Sequence, residues 1–278
     1  MSAVETVKAD ILNLLENDKL VLPTLPEVAL QIRDIAEDPE SGIQDLVQVI
    51  SKDAGISARI IRVCNSPLLR GAQEIESLQM AVMRLGMEYT ANLSIGLAME
   101  QMFQATSDLV DKRLREVWEK ASEIAGISHV LCKHYTSLRP DQATLAGLMH
   151  QIGILPILVY AEEHASLLKD SFTLDQVIRE LSPMLGEKIL TTWGFPPEIA
   201  NVPLECMDFE RAADETSLSD VITAAMLQSY MGSEHPLGQI DYETVTAFKR
   251  LGFEPDPQET DEENLDDEMA AAMALLNG

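Results

Sequence analysis

The chain has 278 residues, enough for one large domain or two small ones, each with its own core. Apolar residues make up 46% and aromatics only 5%, and the abundance of Leu, Ala, Ile and Met favours helices packed on helices over β structure. The formal net charge of −26 disfavours nucleic acid and anionic membrane surfaces as ligands, because both need a cationic face.

The first stripe at helical spacing is Val4, Val7, Ile11, Leu14 and Leu15. Leu22-Pro23-Thr24-Leu25-Pro26 interrupts it, and Pro26 suits the first turn of a second helix carrying Val28, Ile32 and Ile35. Asp38-Pro39 closes that helix. Ile43, Leu46, Val47 and Ile50 make a third. Ile56, Ile60, Ile61 and Cys64 make a fourth, stopped by Asn65-Ser66-Pro67. Leu78, Val82 and Leu85 carry a fifth up to Gly86, and residues 87–104 form a sixth. The polar stretch 104–108 reads as a hinge. A long helix follows at about 108–136, then an apolar one at 141–154. Shorter helices are expected at about 156–168, 174–181, 183–193, 197–207, 217–231 and 241–251. Glu254-Pro255-Asp256-Pro257 reads as a linker into an acidic tail that ends in an Ala-rich piece, either a docking helix or a frayed end. No strand alternation and no tandem repeat is found.

The tail does not account for the charge. Residues 251–278 hold nine acids and no base, and the remaining 37 acids and 20 bases leave −17 on residues 1–250. The plain reading of this excess is solubility. Cys64, Cys132 and Cys206 are odd in number, far apart and in apolar helical settings, so buried reduced thiols are expected and a zinc site is not. The first residues, with Glu5 and no long apolar core, do not read as a signal peptide. The longest uncharged apolar run, residues 152–161, is short of the ~18–20 residues that span a bilayer. A cytoplasmic protein is the expectation.

The position with most chemical content is His150-Gln151, in Ala-Gly-Leu-Met-His-Gln-Ile-Gly-Ile at 146–154. A His-Asp pair there would be half of a divalent-metal site. Asp gives a hard cation an anionic oxygen, whereas Gln offers a neutral carbonyl. His129 and His134 are five apart, on different faces of one helix, where an i, i+4 pair would be ligand spacing. His164 reads as exposed, His235 as part of a turn, and nothing in the sequence couples either to His150. There is no Gly-x-Ser-x-Gly elbow, no electropositive Cys and no phosphate-cradling glycine loop. One basic cluster stands against the acidic background: Arg59 and Arg62, three apart, with Arg70 after the Asn65-Ser66 turn. Such a patch suits an anionic ligand or an acidic partner segment, unless the arginines are spent on Asp53 and Glu74.

The order of these segments resembles the HDOD family, the HD-related output domains of bacterial signalling, over residues 22–252. The features that carry it begin with Leu22-Pro23-Thr24-Leu25-Pro26-Glu27-Val28. Next come the two central helices from 45 to 53 and from Ser57-Ala58-Arg59 to the Asn65-Ser66 turn, and then Ile75-Glu76-Ser77-Leu78 running to Leu85-Gly86. Trp118, the His150-Gln151 segment and the stretch from Gly186 to Trp193-Gly194-Phe195-Pro196 complete the match.

The resemblance implies an all-α, two-lobed, multi-helix fold. Its parts would be an N-terminal helical lobe at 1–105, an HD-like lobe at 106–252 and an acidic linker and tail at 253–278. It also implies descent from metal-dependent phosphohydrolases. Of their ligand positions, the first falls on Ala121, the pair on His150-Gln151, the next on Ser182-Pro183-Met184-Leu185 and the later ones on Glu205-Cys206-Met207. One His remains, and a hydrolytic metal needs about three protein ligands.

The expectation is therefore a non-catalytic signal-transduction protein acting through protein–protein contact. It would have no cofactor, no resident metal and no catalytic residue, with His150 and Gln151 vestigial. Arg59, Arg62, Asn65, Ser66 and Arg70 form the candidate interaction patch. A signalling protein is the expected partner, in cyclic-dinucleotide or two-component pathways. No receiver, cyclase or phosphodiesterase domain is present, so the input would come from a separate chain. Nucleic acid and membrane are not expected as partners, and the oligomeric state is open. The alternatives are a metal-dependent phosphohydrolase with an atypical ligand set, and a small-ligand or nucleotide sensor using the vestigial pocket.

Overall fold

The structure, a computed structural model, describes residues 2–105, 107–253, 267–269 and 271–272. Among the described residues every regular element is helical. The first part contains α1 (Ala3–Glu16), α2 (Glu27–Glu37), α3 (Ile43–Ile50), α4 (Ala54–Cys64), α5 (Leu78–Leu85) and α6 (Met87–Ala98), the last running into a 3₁₀ turn at Met99–Met102. The second contains α7 (Asp108–Tyr135), α8 (Pro140–Met149), α9 (Ile154–Glu163), α10 (Ala165–Lys169), α11 (Ser171–Thr192), α12 (Pro197–Ala200), α13 (Val202–Glu205), α14 (Leu218–Tyr230) and α15 (Thr246–Leu251).

The helix starts are written in the sequence as caps. The side chains of Ser2, Asp53, Ser77 and Asp170 accept hydrogen bonds from the backbone N–H of Glu5, Ile56, Met80 and Thr173, three residues on. Between α5 and α6 the chain turns at Gly86 with φ of +87°, a conformation that residues with a Cβ rarely adopt.

Several boundaries differ from the sequence reading, and the first is the expected 141–154 helix, which ends at Met149 with a turn at 150–153 before α9. The expected pair 174–181 and 183–193 is one helix, α11, with Pro183 inside it. The expected 156–168 helix is broken at His164 into α9 and α10. The 197–207 helix is two single turns meeting at Asn201, just before Val202-Pro203. In place of one helix over 241–251 there is a 3₁₀ turn at Tyr242–Thr244 and then α15.

The long α7 lies against α8 and α14, and α6 bridges α2 and α8. The α7–α8 crossing is close because Gly147 lacks a side chain. A Cβ there would sit 2.6 Å from Ala125 Cα. Buried side chains from Ile11 to Ala272 form one continuous apolar cluster. The opening Leu22-Pro23 motif is pinned far along the chain, with Trp193 Nε1 donating to Pro23 O at 3.1 Å and Arg33 donating to Trp193 O. Around 104–108, Ala105 N donates to Asp111 Oδ1 (3.1 Å) and Ser107 N to Glu162 Oε1 (3.2 Å).

One stretch, Pro140–Glu163, has the length and apolarity of a membrane span. It comprises α8, the turn after it and α9, and 89% of its most apolar window is buried, as expected of core helices. All three cysteines are free and buried, as their settings suggested. Of the C-terminal segment, 267–269 and 271–272 are helical, with Met269 and Ala272 buried. There Glu268 meets Lys133 (3.1 Å) and His134 (3.0 Å), so this piece docks on α7. The linker expected at 254–257 and the rest of the tail lie outside the described residues.

Candidate functional site: the cleft at His150

α8 ends at Met149, and the turn 150–153 carries the chain into α9. His150 caps α8 and is 5% exposed. Its Nδ1 lies 2.6 Å from Gly147 O, so Nδ1 holds the proton and Nε2 presents its lone pair. Burial pushes the imidazole down to about 4, against the weaker opposite pull of the Gly147 carbonyl, so the ring is neutral at pH 7. Nε2 is buried with no hydrogen-bond partner.

Two glycines bring three backbones together here. A Cβ on Gly153 would overlap the Ser182 carbonyl of α11, and one on Gly186 would sit 2.7 Å from Pro203 Cβ in α13. Beside this junction opens a cleft of about 620 Å³. His150 and Gln151 line it from the turn, Arg179 and Ser182 from α11, Cys206 from the end of α13 and His235 from the segment after α14. The wall supplied by residues 206–209 is held by a buried ion network. Asp220, 1% exposed, accepts from Arg211 (2.8 Å) and Arg250 (2.6 Å), and Thr246 N donates to Phe209 O at 2.9 Å. Burial alone would raise the Asp220 carboxyl. The bonds from Arg250, the Ser217 backbone and Arg211 outweigh it and hold the group below the usual range.

The donor set does not fit a hydrolytic metal. His150 offers one nitrogen. Gln151 is neutral. Cys206 is a thiol that burial pushes up to about 12, and Met207 carries no charge. Ala121, at the first expected ligand position, is fully buried in the core. Among the described residues no three His, Cys, Asp or Glu side chains gather closely enough to hold an ion.

The basic patch lies elsewhere, and its five residues have different roles. Arg59 and Arg62 line a second cleft, of about 520 Å³, with Trp118, Glu100 and Arg115. Arg59 pairs with Glu100, not with the neighbouring Asp53 that the sequence suggested. Asp53 instead caps α4 and accepts from Gln101 Nε2 (3.2 Å). Asn65 staples the following loop, donating to Ile75 O (2.7 Å) and accepting from Ile75 N (2.8 Å). Ser66 is buried and accepts from Leu69 N (3.4 Å), while Arg70 is exposed.

His129 is buried, with Nδ1 3.1 Å from Thr144 Oγ1 and 3.3 Å from Tyr89 Oη, and burial, aided by Lys133, pushes it down to about 4. Among the lining residues of the His150 cleft that sequence reasoning missed are the polar Arg179, Tyr230 and His235. His235 was set apart from His150, yet it shares the cleft and stacks on Tyr230 at 4.0 Å between centroids. The three lie 28 or more residues beyond Gln151, in no local motif, so only the folded chain unites them.

An all-α frame with His150 at the turn between α8 and α9 defines the class: an HD-related helical domain. The HDOD domain profile matches residues 22–206, and the chain belongs to the HDOD family. A protein of Shewanella amazonensis SB2B, provisionally named a metal-dependent phosphohydrolase, is 30% identical and superposes with a TM-score of 0.89 over 99% of this chain and 100% of that one. An HDOD domain protein of unknown function from Geobacter sulfurreducens is 18% identical, with a TM-score of 0.63 over 99% of this chain and 98% of that one. A protein from Marinobacter aquaeolei VT8, provisionally named a signal transduction protein, is 20% identical, with a TM-score of 0.64 over 98% of this chain and 66% of that one. These last two likenesses establish the fold. A curated relative, an uncharacterised protein of Treponema pallidum (strain Nichols), is 22% identical over 244 residues, which is 82% of this chain but 46% of that protein. The chain thus spans about half the length of the curated relative it matches.

Proposed function

We propose that this chain is a non-catalytic signal-transduction protein, an HD-type frame without its metal chemistry, which works by binding a partner protein in the bacterial cytoplasm. The observation that carries the reading is the His150 turn itself. A neutral imidazole with Nδ1 committed to Gly147 O stands beside Gln151, Cys206 and Met207, where a hydrolase would need several anionic or imidazole ligands. The signalling assignment draws on the family and on the name carried by the Marinobacter relative. We retain the division into lobes at 1–105 and 106–252 as part of the proposal, together with a contact surface around the solvent-facing Arg62 and Arg70. Asn65 and Ser66 support that surface from within by fixing the loop.

Elemental analysis of the purified protein, with equivalents of Mn, Fe, Zn and Mg, tests the reading alongside turnover of phosphomonoester and phosphodiester substrates in added Mn²⁺. The expected result is a metal content near zero and no turnover. Stoichiometric metal, with an activity that His150→Ala abolishes, would replace this reading with the hydrolase one.

A further inference from the structure

The His150 cleft is not refilled by the side chains that replace metal ligands. It keeps about 620 Å³, within the ~300–1,000 Å³ range of small-molecule sites. Its composition is uneven. One wall is apolar, with Ile154, Pro203, Met207, Phe209 and Met226. Two charged side chains line it, Asp175 and Arg179, both on α11. The Asp175 carboxylate is already engaged by Arg113 at 2.8 Å, whereas Arg179 forms no ion pair among the described residues. The cleft therefore presents one unspent cation on a protein whose net charge is −26. His150, 5% exposed, also lines the cleft, with an acceptor nitrogen that no described residue satisfies. A buried polar atom left unpaired costs free energy and calls for a partner.

We propose that this cleft binds a small organic monoanion with an apolar, ring-like body, its anionic group on Arg179 and a ring N–H or O–H donated to His150 Nε2. The charge pattern selects against a nucleoside polyphosphate or a cyclic dinucleotide. Two or more phosphate charges need several converging donors, and the cleft offers one free guanidinium. His235 stacks on Tyr230 at 4.0 Å, and with Lys120 Nζ also over the Tyr230 ring at 4.1 Å, the face of His235 turned from Tyr230 is the flat surface of this pair left for a planar body.

This inference goes beyond the adaptor reading but shares its premise that His150 holds no ion. Titration calorimetry of the full chain at pH 7.5 with indole-3-butyrate tests it, with 1-methylindole-3-butyrate as the donor-less analogue and tryptamine as the charge-reversed one. Saturable one-to-one binding of indole-3-butyrate is expected below about 1 mM, with tryptamine silent. Arg179→Gln should weaken binding at least tenfold, whereas Arg70→Gln should leave it unchanged. The N-methyl analogue should bind several-fold more weakly than indole-3-butyrate to the native chain but equally well to His150→Leu. Absence of saturable binding, equal binding of tryptamine, indifference to Arg179→Gln or indifference to N-methylation overturns the proposal. Thermal melts of each variant identify any that failed to fold, and Leu237→Trp, which narrows the cleft mouth, should then block binding independently. Phosphohydrolase turnover supported by metal bound away from His150, with probe binding still dependent on Arg179 and His150, would refute the adaptor reading and leave the cleft assignment standing; metal bound at His150 Nε2 would overturn both.

Discussion

The two buried histidines make folding stability depend on pH in a window above the carboxylates. His129 and His150 are both pushed down to about 4 by burial, with Lys133 adding to the effect at His129. In the unfolded chain each titrates near ~6.5. Between those values the unfolded state binds more protons than the native one, so stability rises with pH and is lost as pH falls from about 6.5 to about 4. A shift of this size is worth roughly 3 kcal/mol per histidine when complete and about 2 kcal/mol by pH 5. Together the pair removes about 4 kcal/mol by pH 5, a large part of a typical total of ~5–15 kcal/mol. The lowered carboxyls of Asp220, Asp170 and Asp111 act in the opposite part of the scale. Their stabilisation is present above the unfolded value of about 4 and is lost only as pH falls through the lower folded value, so they do not blur the window. Urea unfolding at pH 7.5 and 5.0 reads the effect directly. With a slope of about 2.5 kcal/mol/M the midpoint should fall by roughly 1.5 M. His150→Leu should remove about half of that change; at pH 7.5 it deletes both an unpaired buried acceptor and the Nδ1 bond to Gly147 O, opposing effects that should leave the stability there little changed. A midpoint that stays constant between pH 7.5 and 5, or an unchanged difference in the His129→Gln/His150→Leu double variant, would refute the reasoning.

Gly147→Ala forces α7 and α8 apart, since the new Cβ meets Ala125 Cα at 2.6 Å; about 1–3 kcal/mol of stability should go, read as a Tm several degrees lower in calorimetry. Asn65→Ala deletes both side-chain bonds to the Ile75 backbone, and about 2 kcal/mol should be lost with faster amide exchange at Ile75; protected exchange there would contradict the stapling role. Asp220→Ala leaves Arg211 and Arg250 largely buried without their shared carboxylate, for an expected loss of about 3–5 kcal/mol and faster exchange at Thr246, whose N–H bonds Phe209 O.

The fold was legible where local chemistry decides it. The apolar stripes of α1 to α5, with the breaks at Pro23-Pro26, Asp38-Pro39, Asn65-Ser66-Pro67 and Gly86, gave the early helices to within a few residues; the caps at Asp53 and Ser77 agree with those starts but were not used to place them. Errors came where tertiary packing overrides a local signal. Pro183 reads as a helix start, yet α11 continues through it because Gly186 and the Gly153 turn press α11, α9 and α13 together. The site was half legible. His150 and Gln151 were found because adjacent residues share a turn. Arg179 and His235 were not, because a cleft built from α11 and the 231–240 segment has no periodicity to read. Asn65 and Ser66 stood out for the opposite reason. They mark a turn, and turn residues hold backbone as often as they hold ligands.

The two glycine contacts also bear on why the cleft exists. Protein interiors pack to about the density of organic crystals, and a pocket of this size persists only if rigid elements hold its walls apart. Here the walls are fixed by contacts that lie outside the cleft: backbone against backbone at Gly153 and Gly186, and the buried Asp220 network behind residues 206–209. None of these uses a metal. The frame is self-supporting in this chain, and a cavity lined by the imidazoles of His150 and His235, the Arg179 guanidinium and an apolar wall remains. Because the supports lie outside the cleft, the chemistry of its lining can change without loss of the fold.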